Sequence, residues 1–313
     1  MNVKNKTQVT MFEFSGLTDD KLVAPFLFVL FLVVYIVAVL GNIGMTAMVH
    51  ISPTLHTPMY YLLRCLSMVD LFYSSVITPK MLADLLSERK LITFIGCTLQ
   101  FYFICALAGT EILVLSVMAY DRYVAICHPL HYVSVMTKKK CLGLVILSFS
   151  VGFVQSVAQT SSLFSLEFCD SNLIDHFYCD IPPLVRLSCS EIHICTIVTL
   201  FFGGSCCVSS VTILLVSYIF IMNSVLRINS VAGRRKAFST CSSHLMCATI
   251  FYVTIVCAYF HPSSSTLKIQ EKVSSVFYTV VTPMLNPLIY SLRNQEVKKA
   301  IIRLLQKRSH SHI

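Results

Sequence analysis

Charged and proline-containing breaks divide the chain into seven apolar runs, at about residues 25–49, 59–79, 94–126, 141–163, 195–223, 237–260 and 273–292. A helix rising 1.5 Å per residue needs about 20 apolar residues to cross a hydrocarbon core of roughly 30 Å, and each run meets that length. The predicted fold is an all-α membrane protein, a seven-transmembrane helix bundle with a polar N-terminal segment (1–24) and a C-terminal tail (293–313). Strands of about ten residues with alternating polarity, the mark of a membrane barrel, do not occur. Neither an internal repeat nor a pair of Gly/Pro-broken half-helices is visible, which argues against an inverted-repeat transporter. The N-terminus lacks a basic segment followed by a short apolar run and a cleavage site. The first span is therefore expected to act as both insertion signal and permanent anchor.

Composition strengthens this reading: 56% of residues are hydrophobic and 12% charged, with a mean hydropathy of +0.74, against about 25% charged in a soluble domain. The formal net charge of +9 does not indicate nucleic acid, because its distribution follows the spans. Lys138, Lys139, Lys140, Arg227, Arg234, Arg235, Lys236, Lys298, Lys299, Arg303, Lys307 and Arg308 all fall on one side of the seven-span topology. Asp19, Asp20, Glu88, Glu167, Asp170, Asp175, Asp180 and Glu191 fall on the other. By the positive-inside rule the N-terminus is extracellular and the C-terminus cytoplasmic, in a multi-pass plasma-membrane protein. Asn5-Lys6-Thr7, the one glycosylation sequon, lies on the extracellular side, so Asn5 is expected to carry a glycan.

Ionisable residues within lipid-spanning runs are costly and must face the bundle interior. Asp70 is mid-span in the second run and Glu111 in the third, with Asn42 in the first and Asn286 in the seventh as oxygen-bearing neighbours. Two carboxylates brought together repel, so either a proton is shared or a cation sits between them. A sodium ion held by Asp70, Glu111 and Asn286 is the hypothesis, and a hydrogen-bonded carboxyl pair that only orders helix packing is the alternative. No other cofactor is expected. An ion-conducting or transporting protein that uses Asp70 and Glu111 is the second functional reading, but it needs a continuous polar lining that these runs lack.

The chain has fourteen cysteines, most of them inside spans, where they act as small apolar residues. The exceptions are extracellular, Cys97 at the start of the third span and Cys169, Cys179 and Cys189 in the loop after the fourth, and these four allow three pairings. A zinc site at His176 and His193 fits no tight Cys/His spacing. His244 with Cys241 offers no nucleophile with a positioned base, so an enzyme is not expected.

At the inner end of the third run, Met118-Ala119-Tyr120-Asp121-Arg122-Tyr123-Val124-Ala125-Ile126-Cys127-His128-Pro129 sets an acid beside an arginine at the membrane boundary. Alone, that pair reads as an interfacial anchor. Pro287 removes a hydrogen bond and kinks the seventh span, statically or as a hinge. These features are joined by Gly41-Asn42, Leu55-His56-Thr57-Pro58-Met59-Tyr60, Ser217-Tyr218, Lys236-Ala237-Phe238-Ser239-Thr240-Cys241 and Pro283-Met284-Leu285-Asn286-Pro287-Leu288-Ile289-Tyr290. In that order and spacing, from Asn5 to Arg293, the set resembles the vertebrate odorant receptors, within them the terrestrial-type class.

The resemblance implies a rhodopsin-like G-protein-coupled receptor in which Asp121, Arg122 and Tyr123 face the G protein, with Arg122 held by Asp121 at rest. Tyr218, Asn286, Pro287 and Tyr290 would take part in activation. It implies as partner a heterotrimeric stimulatory olfactory G protein that raises cyclic AMP. It also implies disulfides Cys97–Cys179 and Cys169–Cys189. The chain has no tryptophan, and the aromatic switch position is Tyr252, followed by Val253 where the family usually has glycine, so local packing beneath the pocket is expected to differ.

In helical register the pocket would be lined by Ile104, Cys105, Ala108 and Gly109 on the third span and by Phe202, Gly203 and Cys206 on the fifth. Tyr252, Ile255, Val256 and Tyr259 on the sixth and Val276 and Thr279 on the seventh would complete it. Such residues equally serve helix packing. The lining carries no carboxylate at Ile104 to pair a cation, so the expected ligand is small, neutral and mostly apolar.

Overall fold

The lipid-facing surface and the buried seam of each helix follow from where the apolar runs put their polar residues. A computed structural model describes residues 9–169, 171–259 and 267–310. Among them, α1 (Val23–Ile51), α2 (Pro58–Leu85), α3 (Phe94–Cys127), α4 (Lys138–Phe164), α5 (His193–Leu226), α6 (Val231–Tyr259) and α7 (residues 267–293) form the bundle. Six of these are long and apolar enough to cross a membrane. In α7 a π-turn at Phe277–Val281 joins Leu267–Val276 to Thr282–Arg293. The protein is a multi-pass membrane protein of the seven-helix type.

The helices outrun the apolar runs at nearly every end. Pro79 does not stop α2, which continues through it to Leu85 and buries Met81, Leu82 and Leu85. Beyond the bundle the tail, legible only as polar, forms α8 (Gln295–His310). Asn294 starts it, its Oδ1 accepting from the backbone N–H of Glu296 at 3.0 Å and of Val297 at 3.3 Å and from the Tyr60 hydroxyl at 3.1 Å. Side-chain caps begin two spans: Thr93 Oγ1 accepts from Gly96 N at 3.0 Å for α3, and Thr137 Oγ1 from Lys140 N at 3.3 Å for α4.

α3 is the axis of the bundle, packed against α2, α4, α5 and α6. α1 lies at the edge, where it buries Phe31, Ala38, Asn42, Met45 and Val49 along one seam and exposes Phe26, Val29, Val33, Ile36 and Leu40. Such an apolar exterior is stable only against lipid.

Small residues set two close approaches. A Cβ on Gly41 would stand 3.0 Å from Pro287 Cγ, so α1 touches α7 at the kink. A Cβ on Gly152 of α4 would press on the Ala106 carbonyl at 2.7 Å and on Thr110.

The N-terminal end of the bundle is covered. β1 (Met11–Phe14) pairs antiparallel with β2 (Leu91–Thr93), Met11 opposite Thr93, and parallel with β3 (Leu173–Ile174), Glu13 opposite Leu173. Lys90 Nζ ties this segment down by donating to Ser15 O (2.9 Å), Thr18 O (2.9 Å) and Asp19 Oδ1 (2.6 Å). The structure pairs Cys97 with Cys179 and Cys169 with Cys189, at Cα separations of 5.6 and 6.1 Å. The first bond draws the loop after α4 across the mouth of the bundle. Asn5 and Asp170 lie outside the described residues.

Candidate functional site

Beneath the covered end, Ile104 and Leu107 of α3, Ala258 of α6 and Tyr278 and Val280 of α7 share one apolar cluster with Tyr73 of α2 and with Phe177 and Tyr178 of the loop. Ala108 and Val276 pack against it. Of the expected lining, Ile104, Ala108 and Val276 are thus brought together. Cys105, Phe202 and Cys206 are half-buried, and Cys105 packs against a separate cluster with Cys97, Phe101 and Phe168 at the covered end. Thr279 is buried, and its hydroxyl is engaged with the Ser275 carbonyl at 2.6 Å. The side chain of Tyr259 lies outside the described residues.

Three lining residues are corrected. Val256 is 50% exposed, in register with exposed Thr249 and Val253 on the lipid face of α6. Gly109 faces α4 instead of the centre: a Cβ there would strike the Gln155 amide and meet Gly152 Cα at 3.4 Å. Gly203 likewise faces Gln159 of α4: a Cβ there would stand 3.4 Å from its Nε2. Register on an isolated helix gives the angle of a residue but not which neighbour stands there. Val253 points outward, so its difference from glycine does not alter the packing beneath the site.

The roof is aromatic. Tyr178 donates to Asp180 Oδ2 at 2.8 Å and shares a short hydrogen bond with the Tyr278 hydroxyl of α7. The Cys179 N–H donates to Gln100 Oε1 at 3.0 Å, which fixes the loop beside its disulfide. His176 stacks on Phe177 with centroids 4.7 Å apart. Burial pushes its pKa down to about 3, so the ring is neutral.

The floor is a hydroxyl chain. Tyr252 of α6 bonds Ser210 of α5, which bonds Ser116 of α3, and the Ile112 carbonyl lies within reach of both serine hydroxyls, 2.9 Å from Ser116 Oγ and 3.1 Å from Ser210 Oγ, to accept the proton that the serine pair leaves over. Ser116, Ser210, Tyr178 and Tyr278 are not singled out by the sequence. The two serines carry a signal all the same, since each is a hydroxyl placed on the buried side of an apolar helix. The tyrosines carry none.

Toward α2 and α7, Asn286 Nδ2 donates to Asp70 Oδ2 at 2.9 Å, and Glu111 lies beside Asp70. Asp70 Oδ1, Glu111 Oε1 and Asn42 Oδ1 are buried acceptors without a hydrogen-bond partner. Asn42 itself turns to backbone: its Nδ2 donates to Ala38 O at 3.0 Å and to Pro283 O at 2.9 Å. Among the described residues no group of three or more His, Cys, Asp or Glu gathers as for a metal, and His176 with His193 forms no such site.

At the far end Arg122, nearly buried, donates through Nε to Asp121 Oδ2 at 3.0 Å and through Nη2 by a shorter bond. Tyr132, in the helical turn Tyr132–Val135, donates to Asp121 Oδ1 at 2.9 Å, and burial together with that carboxylate raises its pKa. Tyr123 meets His128 Nε2 at 3.1 Å. His244 Nε2 is 3.1 Å from the Leu115 carbonyl and must donate there, which leaves Nδ1 to accept from the Tyr218 hydroxyl at 2.8 Å. Tyr218 thereby links α5 to α6, and His244 links α6 to α3. The Tyr290 hydroxyl is buried beside the Cys247 thiol.

A family model described as olfactory receptor matches residues 31–308. Mouse (Mus musculus) olfactory receptor 5AP2 is 51% identical over 302 residues, 96% of this chain and 95% of that one. Human (Homo sapiens) olfactory receptor 5AR1 is 49% identical over 309 residues, 99% of this chain and 100% of its own length. Human olfactory receptor 5F1 is 48% identical over 311 residues, 99% of each chain.

Proposed function

The chain belongs to the olfactory receptor family and is an odorant receptor, and from that premise we propose which ligand it takes and how the signal leaves. The odorant is small, neutral and mostly apolar, and it sits between the Ile104–Ala258–Tyr278 cluster and the Tyr252–Ser210–Ser116 floor. Burial of its surface supplies about 25 cal/mol per Å². The absence of any carboxylate among those residues leaves an amine without a counter-charge, and Tyr252 offers the hydroxyl a polar odorant group needs.

Ligand pressure on the floor acts on α5 and α6 together, because Ser210 and Tyr252 join them. The same two helices are joined again by Tyr218 and His244, whose ring reaches the Leu115 carbonyl of α3, seven residues before Arg122. Movement of α6 that breaks the His244–Leu115 bond frees the far end of α3, and Arg122 exchanges Asp121 for a stimulatory olfactory G protein that raises cyclic AMP. The N-terminus faces outside, in keeping with the basic residues gathered at the Arg122 end, and Asn5 carries a glycan. A sodium ion fits between Asp70 and Glu111, whose orphaned oxygens supply hard, anionic ligands, with Asn286 orienting Asp70. Transport and catalysis are set aside, since the family is one of receptors.

The observation that carries this reading is that α5 and α6 are joined at two levels, by Tyr252 with Ser210 and by Tyr218 with His244, and that each level is bonded to an α3 carbonyl, Ile112 or Leu115. Cyclic AMP measured in cells that express the receptor with an olfactory stimulatory G protein, across a panel of neutral volatiles, tests it. A response that Arg122→Ala abolishes at equal surface expression is expected; a response that survives Arg122→Ala overturns the coupling route.

A further inference from the structure

On the outer wall of the bundle, between α1 and α2, runs a groove of about 380 Å³. Ile43, Ala47, Met68 and Phe72 are among its apolar walls, and His50 and Arg64 are its charged or ionisable members. Ile43, Met68 and Phe72 are exposed, so the groove opens to lipid.

Arg64 is the anomaly. It stands six residues beyond Pro58, about 9 Å along the helix at 1.5 Å per residue, within a span that must otherwise satisfy its charges internally. Among the described residues it has no hydrogen bond or ion pair. No acid is available to it from α1, which contains none, and Asp70 on its own helix is buried and turned to Asn286. Helical side chains tilt toward the N-terminus of their helix, so Arg64 leans toward the Pro58 end, the membrane boundary where headgroups lie. His50, in the last turn of α1, lies at the same end, and its ring has no hydrogen-bond partner among the described residues.

An apolar trough that faces lipid and ends in an unpaired guanidinium and an imidazole has the chemistry of one occupant. We propose that it binds a single anionic phospholipid of the surrounding leaflet. The phosphate is held by Arg64 and His50, and one acyl chain lies along Ile43, Ala47, Met68 and Phe72. A guanidinium fork matches a phosphate by two parallel hydrogen bonds, and a headgroup of net negative charge adds an attraction to the cation that a zwitterionic headgroup of no net charge lacks. The bound lipid joins α1, which buries few side chains, to α2.

Native mass spectrometry of the purified full-length receptor in detergent, titrated with phosphatidylserine or phosphatidylcholine, tests this. One phosphatidylserine is expected to remain bound, about tenfold more tightly than phosphatidylcholine. R64Q should abolish that preference, R64K should lose part of it by losing the fork, and F72A should weaken both lipids. R235Q, an equal charge loss at an exposed position, should change neither. Equal losses from R64Q and R235Q would mean that anionic lipid follows the general basic surface and would overturn the site. Competition by free glycerophosphoserine as strong as by the whole lipid would show that the groove takes no part, and would likewise overturn it. R64K and F72A keep the proposal open to refutation if R64Q does not fold.

Discussion

Asn42 shows how a single side chain can satisfy a backbone group left unpaired on another helix. Pro287 has no N–H, so the carbonyl four residues earlier, that of Pro283, loses its helical partner. Asn42 Nδ2 supplies the missing donor at 2.9 Å, from a helix brought close because Gly41 has no Cβ to collide with Pro287. Both Asn42 and Pro287 are legible in the sequence as unusual residues, but the sequence alone groups Asn42 with the carboxylates. Its true partner is a carbonyl, which every residue carries and no sequence marks. Asn42→Leu keeps the volume roughly and removes the donor, leaving a buried carbonyl unpaired at about 1–3 kcal/mol. The variant should unfold at lower temperature than the parent in a thiol-reactive dye melt, and an unchanged melt would show that water or main-chain adjustment satisfies Pro283.

At the level of elements, apolar runs locate every span, because hydrocarbon thickness is written directly in composition. Helix ends are less visible: α2 passes Pro79 since packing of Met81, Leu82 and Leu85 offsets the roughly 3 kcal/mol that an internal proline costs. The π-turns Leu200–Gly204 and Phe277–Val281 shift the register of α5 and α7, and Phe202, Gly203 and Thr279 lie in them. A constant 100° step along the helix therefore misjudges such positions. The loop after α4 is legible only through its cysteines. Its two disulfides differ in what they constrain: the Cys97–Cys179 bond closes a separation of 82 residues and the Cys169–Cys189 bond one of 20. On the chain-entropy account these are worth about 4.5 and about 3 kcal/mol. Cys97→Ser should accordingly lower the melting temperature more than Cys169→Ser. It should also abolish the odorant response at matched surface expression, because Tyr178 and Phe177 lose the anchor that places them over the cluster. Equal responses from the two variants would mean that the roof is held by Gln100 and Asp180 instead.

Across the whole molecule, the site depends on helices far apart in sequence meeting at one depth. Asp70, Glu111 and Asn286 come from α2, α3 and α7, and the sequence shows only that each stands mid-span. Their meeting leaves Asp70 Oδ1 and Glu111 Oε1 buried and unpaired, an arrangement that persists only if something neutralises the pair. A sodium ion bound to the folded bundle alone stabilises it by RT ln(1 + [Na⁺]/Kd), about 1.4 kcal/mol when sodium is tenfold above Kd. The purified receptor should therefore melt higher in sodium chloride than in choline chloride of equal ionic strength. Glu111→Gln, which removes one of the two charges, should erase that difference. If the pair shares a proton instead, the two salts give the same melt, and Glu111→Gln, the neutral isostere of the protonated acid, keeps the parent stability. The two outcomes separate because a proton leaves the cluster indifferent to the cation outside, whereas an ion makes the packing of α2, α3 and α7 depend on it.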